Sequence, residues 1–351
     1  MDHTLYQKPQ LNLSRSTLGR MWLVSCYALL AILQSSLGDN FHSLFVALAA
    51  AGGALVTEFF FNLKNWRRVL KDGSAIASGL ILALLLPNTI YPLFAFLGAV
   101  FAMTVVKHSF GGLGSNWVNP AAAGWLFIRA SWPAAFNQGI ENSHLAKLAA
   151  SLEGGLRDPD GSPLALLKIN GWSVSNLDNS FTSFLNDTIF SLTGVRFPQG
   201  YISLLSLPGP GIIADRGLFF LLLGTALLAA ARCFRLWIPL GFLLVYSLLT
   251  RIFGALSFGG GLWEGDVLFA LFSGGVLAAA FTLVADPATG PKSTPGYAVF
   301  ICLTAFLAFL FRYSALDPYG AVSAVLLGNT LAPLIRGIEN AAYYEKRRGY
   351  E

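Results

Sequence analysis

The strongest constraint on this chain is a succession of apolar segments of near-membrane length. They lie at about 20–36, 42–61, 74–86, 91–106 and 118–132, and again at about 212–231, 236–253, 266–285, 296–312 and 318–337. In hydrocarbon every backbone N–H and C=O must be paired within the protein, which leaves helices or closed barrels. The alternating ten-residue strands of a barrel are absent, so the sequence reads as an all-α polytopic membrane protein with ten transmembrane helices. Composition excludes a soluble globule, since 55% of the 351 residues are hydrophobic and only 12% are charged.

The spacing of the apolar runs divides the chain into four parts. Residues 1–132 read as an N-terminal five-helix repeat, 133–211 as an extracytoplasmic insert rich in Asn, Ser, Asp and Gly, 212–337 as a C-terminal five-helix repeat, and 338–351 as a polar, basic tail. Five spans on each side of an insert predict two inverted repeats. Internal echoes agree: the third and eighth spans both end near proline (LILALLLPN, AAAFTLVADP), and the fifth and tenth both begin near it (VNPAAAG, LDPYGA).

Charge orients the bundle. With ten spans and a cytoplasmic N-terminus, one side holds Lys8, Arg15, Arg20, Lys64, Arg67, Arg68, Lys71, Lys107, Arg232, Arg235, Lys292, Arg336, Lys346, Arg347 and Arg348, which is 15 of the 23 basic residues. Both termini are then cytoplasmic, and the net charge of +5 reflects topology rather than nucleic-acid binding. No cleaved leader is expected, because the first apolar run starts near Met21 and is followed by another span. Cys26, Cys233 and Cys302 lie in or beside apolar runs without metal-ligand spacing, and read as core residues.

The most informative short stretch is Lys107–Gly124, KHSFGGLGSNWVNPAAAG. Gly111, Gly112 and Gly114 permit tight turns, Asn119 suits a helix N-cap, Pro120 suits the first helical turn, and Ala121–Ala123 allow close helix packing. Such irregular backbone at a membrane boundary is tolerated where protein buries it or where it lines a cavity.

This stretch, with DGSAIASGLILALLLP (Asp72–Pro87), ADPATGP (Ala285–Pro291) and DPYGAVSAVLLGNTLAPLI (Asp317–Ile335), resembles the D subunits of the Rnf ion-translocating electron-transport complex. These subunits are homologous to the B subunit of the sodium-translocating NADH:quinone reductase. The resemblance spans nearly all of the membrane portion, in order. It implies a ten-helix subunit of the bacterial cytoplasmic (inner) membrane that carries flavin and passes electrons between partner subunits, one of them an outward-facing flavoprotein, while the complex moves Na+ or H+. No activity is expected of the chain alone.

The resemblance also implies FMN esterified to a threonine in a motif like Asp-Gly-x-Ser/Thr-Gly-Ala-Thr before the sixth span. No such motif is present. The nearest frame is Asp187–Thr193, which keeps the spacing of the outer residues, so Thr193 is the candidate for covalent FMN, ahead of Thr188 and Thr182. A non-covalent riboflavin in the bundle is implied as well. A flat apolar slot with a few polar groups would hold it, and the glycine turns with Asn116, Asn119 and Trp117 are candidates for its lining. PGPGIIADRG (208–217) is a further candidate, presenting helix amides to a phosphate with Arg216 as counterion.

Charges near the bilayer mark an ion path because they are costly there. Glu58, Asp72, Asp286 and Asp317 are the candidates, each with a structural alternative: Asp72 as a helix cap, Asp317-Pro318 as turn chemistry, Asp266 as a helix start. Glu58 and Arg129 sit well inside apolar stretches; Arg129 could also snorkel to the interface, and His108 reads as a hydrogen-bonded interfacial residue, with proton relay as the alternative. Two other classes fit the same pattern. A cofactor-poor scaffold or ion-channel subunit of such a complex needs no flavin, and a secondary solute transporter with inverted repeats needs a polar midplane path.

Overall fold

The computed structural model describes residues 17–67, 71–112, 114–136, 174–192, 197–206, 211–314, 317 and 319–348. Among them every regular element is helical, and the only strand-like pairing is an isolated antiparallel bridge between Pro87 and Ile212. Five helical stretches are long and apolar enough to cross a membrane: Leu18–Ser36, His42–Phe61, Trp237–Phe258, Thr294–Ser314 and Gly320–Ala341. Shorter apolar helices cover Ser74–Leu85, Pro92–His108 and Leu218–Ala230. The chain is a multi-pass membrane protein.

In the first half, α1 (Thr17–Ser36) and α2 (His42–Phe61) are long, whereas α3 (Ser74–Leu85) has 12 residues, about 18 Å at 1.5 Å per residue. That is too short for a hydrocarbon core of about 30 Å. Where α3 ends, Leu86 and Ile90 are completely buried, so the freed backbone needs partners inside the protein. It finds them in the second half: Ile213 N–H donates to the Leu86 carbonyl at 3.0 Å and Asn88 N–H to the Gly211 carbonyl at 3.0 Å. The fourth helix, α4 (Pro92–Phe101), widens into a π-helical segment, Ala102–His108, before the glycine loop. Then α5 (Pro120–Ser131) starts as expected, with Pro120 in its first turn and Asn119 Oδ1 accepting from the Ala121 and Ala122 amides.

The described part of the insert holds α6 (Asn176–Thr188) and α7 (Tyr201–Ser206). Asp178 organises it. This carboxylate accepts from the Gly200 and Ser203 amides and from the Thr182 and Ser203 hydroxyls. Burial alone would raise its pKa, but those donors together hold it below the usual carboxylate range.

The second half departs from unbroken spans at two places. The sixth apolar run divides at Gly217 into α8 (Ile213–Arg216) and α9 (Leu218–Ala230). Gly217 is needed there, because a Cβ would run into the Ala31 backbone. After α10 (Trp237–Phe253), the eighth run is a broken helix: α11 (Val267–Leu271) stops, Gly274 and Gly275 turn left-handed (φ 75° and 64°), and α12 (Val276–Ala278) continues as a π-helical segment, Ala279–Val284. Asp266 caps α11 through the Phe269 amide, as its sequence context suggested, and also accepts from the Tyr201 hydroxyl of the insert at 2.8 Å. Two further helices complete the chain, α13 (Thr294–Ser314) and α14 (Gly320–Arg348). The last runs on through much of the expected tail.

Packing follows small residues. A Cβ on Gly79 of α3 would lie 2.7 Å from the Ala51 Cα of α2, and one on Gly124 of α5 would lie 2.8 Å from the Gly98 carbonyl of α4. The helix pairs correspond between halves: α2 packs on α3 and α4 as α10 packs on α11 and α13, and α4 packs on α5 as α13 packs on α14. Between halves, α1 meets α9 and α5 meets α14. The cysteines correct an expectation. Cys26 and Cys302 lie on exposed helix faces and Cys233 is half-buried, so an apolar neighbourhood in sequence here marks the outer surface of the bundle rather than its core.

Candidate functional site

The two π-helical segments and the two punctuated loops that follow them meet around a cavity of about 560 Å³. Its walls are mostly apolar, with Tyr27, Ile81, Phe234 and Phe281 among them; Ser74, Lys107, Asn116, Asn119 and Asp286 come from the stretches singled out above, and Arg20 and Lys292 add two further cations. A volume of this size, an apolar lining and a few placed polar groups are the properties of a small-molecule site.

Each polar group is held in place. Asn119 caps α5 with its oxygen and donates its amide to Asp286 Oδ2 at 2.9 Å, while Asp286 Oδ1 accepts from the Ala288 amide. One residue thus starts a helix in the first half and joins it to the loop of the second. With its amide oriented to satisfy its neighbours, Asn116 Nδ2 donates to the Gly112 and Val106 carbonyls, each at 3.2 Å, which leaves its carbonyl oxygen as an acceptor. The loop geometry that permits this requires glycine, since Gly111, Gly112 and Gly114 have φ of 100°, 93° and 88°. Trp117 is not in the wall and is 40% exposed.

Lys107 is the residue whose position the sequence misrepresents most. Read as a cytoplasmic-edge cation, it is 3% exposed, because the π-helical segment turns it inward. Its ammonium donates to Glu58 Oε2 at 2.9 Å and Ser74 Oγ at 2.8 Å. His108 Nε2 lies 3.2 Å from the same carboxylate oxygen, and its ring stacks on Phe61 with centroids 4.4 Å apart. Glu58 is therefore not a lone charge in the bilayer; it is the acceptor of a buried cluster whose Lys107 and Ser74 line the cavity.

The remaining sequence candidates lie elsewhere. Asp72 accepts from the Ser74 amide at 2.8 Å, a capping role at the head of α3. Arg129 does not snorkel: it pairs with Asp317 at 3.0 Å and lies over the Trp125 and Tyr319 rings. Arg216 is 5% exposed, and its Nε reaches Ser35 Oγ at 3.2 Å. Thr182 is buried with its hydroxyl on Asp178, whereas Thr188 is exposed at the end of α6. Thr193 and residues 207–210 lie outside the described residues.

Two cavity residues have polar atoms with no hydrogen-bond partner among the described residues, Tyr27 Oη and Arg20 Nε. Buried donors left in this state point to a group that completes them. With the Asn116 carbonyl, the Asn119 amide and the Lys107 ammonium, they form a mixed donor and acceptor rim around an apolar slot. A profile of the NQR2, RnfD, RnfE family matches residues 4–345. The chain belongs to this family. Among its relatives, the D subunit of the proton-translocating ferredoxin:NAD(+) oxidoreductase complex of Clostridium ljungdahlii is 29% identical over 98% of this chain and 97% of its own length. The D subunit of the ion-translocating oxidoreductase complex of Aliivibrio salmonicida is 28% identical over 100% and 99%, and that of Escherichia coli O127:H6 is 27% identical over 87% of each. This family member therefore matches those proteins along nearly its whole length.

Proposed function

We propose that this protein is the membrane-embedded flavin carrier of an ion-translocating oxidoreductase complex, passing electrons between partner subunits while the complex moves Na+ or H+. The observation that carries the reading is the cavity at the junction of the two halves. Its rim suits the pyrimidine edge of an isoalloxazine, which has both an N–H and carbonyl oxygens: Asn116 offers an acceptor, and Asn119, Tyr27 and Lys107 offer donors. A bound riboflavin would supply electron carriage in one- or two-electron steps. The chain supplies the rest. Asn119 and Asp286 fix the slot, the apolar walls keep water out, and the Lys107 ammonium favours any ligand state that gains negative charge.

The matched helix pairs support two inverted five-helix repeats. Between halves α1 packs on α8 and α9, α3 on α8, and α5 on α14; of these, the α1–α9 and α5–α14 contacts join positions that such repeats would pair. Charge counting supports an orientation with both termini cytoplasmic in a bacterial inner membrane, which puts the cavity near the cytoplasmic side and the insert outside, facing a flavoprotein partner subunit. Thr193 remains our candidate for a covalent FMN on that outer side, and Glu58, behind the wall residue Lys107, and Asp286, in the wall itself, for contact with the ion path. The scaffold reading is separated by cofactor content. We expect the subunit from the purified complex to release riboflavin on denaturation. Flavin fluorescence persisting in the denatured band, with FMN mapped by mass spectrometry to 176–207, would add the covalent carrier. No flavin in either fraction would favour a scaffold.

A further inference from the structure

A second polar cluster lies away from the cavity, at the break between α11 and α12. The left-handed Gly274–Gly275 turn frees two amides, and both donate to Asp215, at 2.6 and 2.8 Å. The carbonyl and hydroxyl of Ser273, just before the turn, are taken by the Arg312 guanidinium of α13, with the hydroxyl at 2.6 Å. A carboxylate and a guanidinium thus hold opposite sides of one helix break without pairing directly.

Around this break Arg312 Nε, Tyr246 Oη, Thr250 Oγ1 and Tyr319 Oη make no close hydrogen bond among the described residues, although Tyr246 lies near enough to Thr250 and Arg312 to interact with both. Arg312 is 2% exposed, Tyr319 1%, and Tyr246 and Thr250 are fully buried. Asp215 differs. It is half-buried rather than fully enclosed. The charged and titratable groups that act on it are Arg312 from α13 and Tyr319 at the head of α14; Tyr246 from α10 and Tyr313 from α13 lie around Arg312, and the Arg129–Asp317 pair lies beyond Tyr319. All four groups are donors, and each carboxylate oxygen can accept more than the one amide it holds.

From this arrangement we infer that the helix break encloses a buried water cluster joining the Asp215 carboxylate to Arg312, Tyr246, Thr250 and Tyr319, so that Asp215 takes up and releases a proton inside the membrane. Under-satisfied donors beside a half-buried carboxylate are the setting in which internal waters are retained. Uptake transfers a proton from hydronium in the cluster to a carboxylate oxygen and leaves water; no electron moves. The site is separate from the flavin cavity, and neither depends on the other.

The test uses the full protein in its complex, in lipid nanodiscs. X-ray radiolytic footprinting labels side chains that touch bound water, so Tyr246 and Tyr319 are expected to be hydroxylated about ten-fold faster than Phe300, which is equally buried in apolar surroundings. Equal rates would overturn the water cluster. Infrared difference spectra between acid and alkaline pH should show a protonated-carboxyl band that is lost in Asp215→Asn and shifted in Asp215→Glu. Spectra identical in wild type and both variants would overturn the proton site, and Asp215→Glu keeps the test open if Asp215→Asn fails to fold.

Discussion

The two buried polar clusters solve the same problem in opposite ways. Around Glu58 the carboxylate is paired directly: Lys107 and His108 both reach one carboxylate oxygen, and Ser74 accepts from the Lys107 ammonium. Around Asp215 the carboxylate and guanidinium bind backbone on either side of a helix break, and neighbouring hydroxyls are left over. A direct pair is rigid and closed. A separated pair with spare donors can change its protonation or its waters without collapsing, so the first suits a wall of a binding cavity and the second a site that exchanges small polar species.

The largest effect should come from breaking the closed cluster. Lys107→Met leaves Glu58 buried without its cation and should cost about 3–5 kcal/mol, read as a lower thermal midpoint and yield of the solubilised complex. Adding Glu58→Gln should restore most of that loss; a double variant no better than the single would mean the pair is not the source. A smaller loss, about 1–3 kcal/mol, is expected for Gly79→Ala, which pushes a methyl into the Ala51 backbone that closes α3 onto α2. Gly52→Ala is the control, with nothing within 4 Å of the added carbon, and should stay within about 0.5 kcal/mol.

The insert offers an intermediate case. Asp178→Ala leaves the Gly200 and Ser203 amides without their acceptor and should cost about 1–3 kcal/mol, seen as faster hydrogen exchange in α6 and α7. Because the folded pKa of Asp178 is depressed, its contribution is fully present above the unfolded carboxylate value near 3.9 and is lost as pH falls through the lower folded value. Exchange in wild type should therefore accelerate below about pH 4 more than in Asp178→Ala. The smallest effect is expected for Arg129→Ala, whose partly exposed pair with Asp317 should be worth at most about 1 kcal/mol.

Local chemistry in the chain is legible from sequence. The cap at Asn119, the stop of α3 before Pro87, the turn glycines at 111–114 and the placement of Asn116 in a cavity wall all follow from residue types acting on their own backbone. Pairings across the bundle are not. Asp215 is hidden beside Arg216 in IIADRG, and Arg312 closes an apolar run as FLFRYS; nothing in either string says that α8 and α13 converge on one helix break. Lys107 misleads for a related reason. A basic residue beside a loop reads as exposed, and only the wider π-helical turn brings it round to Glu58. The spans look too apolar in sequence for a polar midplane path, yet buried polar groups are present; they are spread over α8, α10, α13 and the residue before α14, so no single segment looks polar.

The central claim, that the junction cavity holds the flavin, is tested most directly by electron cryo-microscopy of the assembled complex. Planar three-ring density in contact with Asn116, Asn119 and Lys107 is the predicted result. Density there that fits an acyl chain, or side chains closing the cavity, would contradict it.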